Sequence, residues 1–145
     1  MKAAPEVLIV DDNPADVTLA REALAGSAHH SRISSAGDGE EALAFLNRTG
    51  TYASMIRPDL IILDLNLPRK DGRAVLAAVK ADPELRRIPV VIFSSSQLSR
   101  DISRCYELGA NCYVSKPGNL NEFFSVIKSI EEFWFGSVSL PPRGE

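Results

Sequence analysis

The chain is expected to fold as an α/β domain, a doubly wound five-stranded parallel sheet in the order 2-1-3-4-5 with helices on both faces. Three observations predict this. Short apolar runs rich in β-branched residues recur at 7–10, 60–63, 90–93 and 112–114, as in strands buried on both faces. Between them the apolar spacing switches to the 3.6-residue period of helices. The runs lead into polar residues, Asp11-Asp12, Asp64, Ser94-Ser95-Ser96 and Ser115-Lys116, at the strand ends where open α/β sheets gather their chemistry.

The first strand, 7–10, leads to Asn13-Pro14. Asn13 can cap a helix there, and Pro14 lacks an N–H that the first turn would leave unpaired anyway. This helix carries Val17, Ala20 and Leu24 at core spacing and closes near Gly26. A weaker strand centres on Ile33, and Asp38-Gly39 opens a second helix through Ala42, Leu43, Phe45 and Leu46. Residues 48–57 make a longer connection than compact αβ loops usually need. After the strand at 60–63, Pro68-Arg69-Lys70-Asp71-Gly72 is turn chemistry leading to a helix at 74–81, stopped by Asp82-Pro83. The strand at 90–93 precedes a helix at 99–108 ended by Gly109, and the strand at 112–114 precedes a helix at 120–135. That last helix places Phe123, Ile127, Ile130 and Trp134 on one face. Residues 1–136 are expected to form one domain and 137–145 a short frayed tail, with no output domain. Strands one, three, four and five then share an edge in the flavodoxin-like order, and strand two lies outside it.

A chain of 145 residues can bury roughly 68–70% of its unfolded surface as one domain. Its net charge of −3 and pI near 5.4 argue against a nucleic-acid partner, which calls for a basic stripe. There is no secretory apolar segment and no apolar stretch near membrane-spanning length, so the expected setting is cytoplasmic, with no membrane partner. Cys105 and Cys112 lack metal-ligand spacing and are expected to be small buried hydrophobes. His29-His30 is expected to be a solvated loop pair.

If the strand ends converge, the carboxylates of Asp11, Asp12 and Asp64 repel one another by roughly 4 kcal/mol per pair at about 4 Å and an effective dielectric near 20. Hard oxygen ligands in small number suit Mg²⁺, with Mn²⁺ able to substitute, and the cation would let a phosphoryl group approach Asp64. Lys116 can pair with one phosphoryl oxygen, and the Ser94 and Ser95 hydroxyls can hydrogen-bond others. Asn66, two residues after the acceptor, is an amide and cannot shuttle protons as a carboxylic acid there could.

Taken in order, Asp11-Asp12, Asp64 within Asp-Leu-Asn-Leu-Pro, Gly72, Ser94, Tyr113 and Lys116-Pro117 make the chain resemble the receiver domain of two-component response regulators over about residues 7–134. The resemblance implies that Asp64 accepts a phosphoryl group from a phosphohistidine on a sensor histidine kinase. It implies Mg²⁺ held directly by Asp12, Asp64 and the Asn66 main-chain carbonyl, with Asp11 acting through water. Ser94 and Tyr113 would form the switch pair, and the Lys116–Pro117 bond would be cis. The long connection at 48–57, Asn111-Cys112-Tyr113 and Glu131-Glu132-Phe133-Trp134 further resemble stand-alone regulators paired with phytochrome-like histidine kinases.

Phosphorylation is expected to alter the surface of the fourth helix, fifth strand and fifth helix and so to signal to a protein partner. Phe124, Val126, Phe133 and Phe135 give the last helix more apolar surface than one sheet face covers, which suggests a homodimer interface. A phosphatase with a nucleophilic aspartate would place a second aspartate where Asn66 stands. A flavin site would need a Ser/Thr/Gly-rich loop where the chain has Asp11-Asp12.

Overall fold

Residues 4–143 are described by a computed structural model. In chain order the elements are β1 (Glu6–Val10), α1 (Pro14–Leu24), β2 (Arg32–Ala36), α2 (Gly39–Asn47), β3 (Leu60–Leu63), α3 (Gly72–Ala81), β4 (Val90–Ser94), α4 (Ser99–Glu107), β5 (Cys112–Ser115) and α5 (Leu120–Glu132). The five strands form one parallel sheet in the order β2-β1-β3-β4-β5, as the sequence predicts.

Alternation along the strands builds two cores, one on each face. Leu8, Val10, Ile61, Leu63, Val90 and Ile92 pack against α2, α3 and α4. Their neighbours Val7, Ile9, Leu60, Ile62, Val91 and Phe93 pack against α1 and α5. Each such aliphatic side chain contributes about 1.5–3 kcal/mol by leaving water. The register Val10↔Leu63, Leu63↔Ile92 and Ser94↔Ser115 ends β1, β3, β4 and β5 along one edge. That alignment brings their following residues together.

Local chemistry sets the helix starts. Asn13 Oδ1 accepts from the N–H groups of Ala15 and Asp16, with Pro14 in the first turn. Asp38, Asp71 and Asn119 cap α2, α3 and α5 in the same way. The Asp71 cap starts α3 at Gly72, two residues before the expected start at 74. Gly72 can stand there only without a side chain: a Cβ would lie 2.2 Å from the carbonyl oxygen of Asp64. The long connection after α2 contains a 3₁₀ turn, Gly50–Tyr52, with the Tyr52 ring 5.5 Å from that of Phe45.

The C-terminal region departs from expectation in three ways. The α-helical part of α5 stops at Glu132 and widens into a π-type turn, Phe133–Ser137, closed by Val138 N–H donating to Phe133 O. The expected frayed tail is docked through residue 143, because Arg143 forks onto Asp59 (2.6 and 3.1 Å) and donates to Ala4 O (2.7 Å). Residues 144–145 lie outside the described residues. Of the four apolar residues expected to be in excess on α5, Phe124, Val126 and Phe135 are half-buried against the protein's own core. Only Phe133 is mostly free, at 52% exposed.

His29 is not simply solvated: its Nε2 lies 2.9 Å from Glu132 Oε2. Beside it, buried Glu131 accepts hydrogen bonds from the Ser27 and Ser31 hydroxyls, tying α5 to the loop before β2. Cys105 is buried and Cys112 half-buried, both free thiols whose pKa burial pushes up. No helix among the described residues is long and apolar enough to cross a membrane.

These contacts set the expected cost of three substitutions. Gly72→Ala forces the α3 start away from the Asp64 loop and should destabilise by about 1–3 kcal/mol, read as a lowered melting temperature. Asp59→Ala strands the Glu6 N–H that its carboxylate accepts at 2.9 Å as well as Arg143. It should cost about 1–3 kcal/mol in denaturant unfolding. Arg143→Ala, which breaks only the partly exposed pair, should cost about 0.2–1 kcal/mol.

Candidate functional site

Main-chain hydrogen bonds carry the ladder past the strand ends. Asp11 N–H donates to Ala36 O, Asp64 N–H to Val10 O, and Lys116 N–H to Ser94 O at 2.8 Å. These bonds bring segments distant in sequence to one crevice. The carboxylates of Asp11, Asp12 and Asp64 each offer an oxygen within 4.8 Å of the others. Asp11 is buried and Asp12 exposed, while the Asp64 side chain is 12% exposed.

Lys116 stands among them. Its Nζ lies 2.8 Å from Asp11 Oδ2, 2.9 Å from Asp16 Oδ2 and 3.0 Å from Asp64 Oδ2, and 5.8 Å from the centre of the Phe93 ring. Burial disfavours the ammonium, but the three hydrogen bonds to carboxylates outweigh it and raise the lysine pKa. Lys116 is therefore charged throughout the physiological range. One ammonium shared among several carboxylates leaves an acidic excess. Burial raises the Asp11 carboxyl pKa, the Lys116 and Asn13 hydrogen bonds oppose this, and the charge of Asp64 adds to it.

Asp16 is the residue that sequence reasoning missed. It sits three residues after the Asn13 cap, in the first turn of α1, where acidic residues are common for the helix dipole alone. The available signal was its place beside Asp11-Asp12 once Asn13 is taken as the cap. A first-turn side chain then lies over the end of β1.

The remaining expected residues fall as follows. Ser94 ends β4 fully buried, and its Oγ accepts from Ser96 N–H at 3.3 Å. Ser95 is exposed, as is Asn66 in the loop after β3. Asp64 Oδ1 accepts from Leu65 N–H at 2.7 Å, and Gly72 N–H donates to Leu65 O at 2.8 Å. Tyr113 is half-buried, its hydroxyl donating to Ser96 O at 2.8 Å. The expected cis bond is not found: Lys116–Pro117 is trans, and no described peptide bond is cis. Trans is the lower isomer of an X–Pro bond by roughly 0.5–1 kcal/mol, and Lys116 reaches the carboxylates from that backbone.

The donor set facing the crevice is all oxygen and carries more negative charge than Lys116 balances, which fits a hard divalent cation such as Mg²⁺ or Mn²⁺. A nucleophilic carboxylate, an ammonium and a buried hydroxyl at one edge suit transfer of a phosphoryl group better than hydrolysis of a carbon centre.

The family described as "Response regulator receiver domain" matches residues 7–128. The chain is 45% identical over 135 residues to the response regulator Rcp1 of Synechocystis sp., covering 93% of this chain and 92% of that protein. Among solved structures, the phosphorylated cyanobacterial phytochrome response regulator RcpA aligns with a TM-score of 0.94 and 49% identity, covering 97% of this chain and 100% of that one. The Mn²⁺-bound form of Rcp1 aligns at 0.91 and 44% identity, over 95% and 99% of the two chains. By its fold, its acidic crevice and these matches, the chain belongs to the response regulator receiver domains.

Proposed function

We propose that this protein is a phosphoacceptor signalling protein in which Asp64 takes a phosphoryl group from a phosphohistidine of a sensor histidine kinase. The observation that carries the reading is the meeting of Asp11, Asp12 and Asp64 within 4.8 Å, with the Lys116 ammonium 3.0 Å from Asp64. A kinase of the phytochrome-like type is the donor this reading favours, since the similar protein RcpA is a phytochrome response regulator.

Mg²⁺, or Mn²⁺ as in the Rcp1 structure, would be held by Asp12, Asp64 and the Asn66 carbonyl, with Asp11 beside it, and would neutralise the charge of the incoming phosphoryl group. An Asp64 carboxylate oxygen attacks phosphorus, forming an acyl phosphate as the phosphorus–nitrogen bond breaks. The imidazole leaves with the bonding pair and ends neutral because its other ring nitrogen already carries a proton. Lys116 exchanges a carboxylate partner for a phosphoryl oxygen, and the Ser94 hydroxyl donates to another, with Ser95 at the crevice rim. The protein promotes only its own phosphorylation and dephosphorylation. Asn66 supplies no acid–base group to hasten the loss.

Drawing Ser94 toward the added charge of about −1.5 to −2 shifts Tyr113 and the surface of α4, β5 and α5. That surface addresses a protein partner. A second copy of the chain is one partner, with Phe133 exposed after α5 and the half-buried Phe124, Val126 and Phe135 offering what apolar surface the core leaves uncovered.

Three measurements test these points. Asp64→Asn should take up no label from a phosphorylated phytochrome-type kinase, while the wild type is labelled in the presence of Mg²⁺. Retained labelling would remove Asp64 as acceptor. In calorimetric titration with Mg²⁺, Asp12→Asn should weaken binding at least about tenfold. Binding should also weaken as pH falls toward the raised pKa of Asp11, since a proton then competes with the cation. Light scattering at tens of micromolar should give a dimer that Phe133→Ser weakens; a monomer with and without beryllofluoride would remove the dimer.

A further inference from the structure

At the end of the sheet away from the crevice, three segments of the chain surround an open cavity of about 590 Å³. They are the connection after α2 at 53–59, the stretch before β4 at 83–89 and the docked C-terminal segment at 141–143. Asp59 directly precedes β3 and Asp64 directly follows it. The length of that strand, roughly 16 Å, therefore separates the cavity from the acceptor carboxylate. Small-molecule sites occupy roughly 300–1,000 Å³, and the phosphoryl chemistry makes no use of this one.

The lining combines two chemistries. Met55, Ile56, Ile88 and five prolines supply apolar surface, and Ile56 is left 46% exposed. Proline has a fixed φ and no N–H, so these walls are stiff and donate nothing from the main chain. Four arginines supply the charge: Arg48, Arg57, Arg87 and Arg143. Arg57 is paired with Glu84 and Arg143 with Asp59, each at 2.6 Å. Arg87 Nη2 donates to Pro142 O at 3.0 Å. Among the described residues, neither Arg87 nor Arg48 has a carboxylate partner. Asp59 and Glu84 are the two acidic residues of the lining, so it carries an excess of two positive charges on a chain whose net charge is −3.

We propose that this cavity binds an organic anion, a small molecule with a carboxylate, phosphate or sulfonate group on an apolar body. Arg48 and Arg87 hold the anionic group, while Ile56, Met55 and the prolines cover the body. The site stands independently of the reading of Asp64.

Both halves of the lining are needed to select that ligand. A guanidinium presents a planar fork that matches the oxygens of such anions, and the excess positive charge disfavours a cation. A neutral apolar molecule would take water from the two arginines and return no partner. A bare inorganic anion would leave Ile56 and its neighbours wet. The C-terminal segment belongs to the site, because the Arg143 fork onto Asp59 and its bond to Ala4 O hold Pro141 and Pro142 beside the cavity.

Titration of the full chain with two fluorescent probes that share an aromatic body tests the site: anilinonaphthalene sulfonate and its uncharged analogue phenylnaphthylamine. The sulfonate should bind saturably, one per chain, and the analogue at least about tenfold more weakly. Arg48→Ala and Arg87→Ala should each raise the dissociation constant of the sulfonate roughly three- to tenfold, the worth of about one net hydrogen bond. Arg104→Ala, which removes the same charge from exposed α4, should stay near wild type. Methyl resonances of Met55 and Ile56 should shift as the sulfonate is added. Equal binding of the two probes, no saturable signal, or equal losses in Arg104→Ala and Arg48→Ala would each overturn the site, as would shifts confined to residues around Phe133. Inorganic sulfate that displaces the probe at the same concentration removes the organic ligand and leaves only an anion site.

Discussion

Carboxylates gathered at one edge of a sheet repel one another, and in this protein a single buried ammonium holds them together. Lys116 reaches Asp11, Asp16 and Asp64 within 3.0 Å from a main chain hydrogen-bonded to the end of β4. Without a cation at this point the repulsion would act directly on the ends of β1 and β3. The compensation is incomplete, because several acidic groups share one positive charge. That residual negative potential makes the crevice receptive to a divalent cation. Stability and chemistry use the same interaction.

The two ends of the sheet are treated differently. At the C-terminal ends of the strands, polar side chains face a crevice and the connecting loops carry the functional groups. At the opposite end the chain closes on itself. Asp59 takes both the Glu6 N–H and the Arg143 fork, and Arg87 donates to Pro142 O. Between the ends, strands buried on both faces form a rigid frame, since interiors at crystal-like density deform little. Freedom to move is therefore concentrated in loops and helix starts. These are the places where Gly72 lies against the Asp64 loop and Ser96 collects its bonds.

The apolar character of α5 illustrates how burial and pattern diverge. Its aromatic residues exceed what one sheet face needs, yet the π-type turn at Phe133–Ser137 folds Phe135 back onto the core and sets the Phe133 ring edge-on to Trp134, 5.3 Å away. A surface that looks broad along a helical wheel is narrow in the folded chain, because the helix does not continue as an ideal α-helix.

The sequence by itself determined the strand order, the two apolar faces and the identity of most crevice groups. Each of these follows from short-range regularities: a period of two or 3.6, a cap three residues ahead of a partner N–H, a carboxylate directly after an apolar run. Tertiary structure alone decided which polar groups meet. Asp16 and Lys116 are 100 positions apart, and nothing local to either predicts their contact. The same holds for Arg73 with Asp101, for Arg143 with Asp59, and for the trans backbone at Lys116–Pro117. Apolar burial is written into periodicity because any face of the right spacing can be covered by another. A hydrogen bond or ion pair depends on positions good to a fraction of an ångström, and those exist only once the sheet and its helices are assembled.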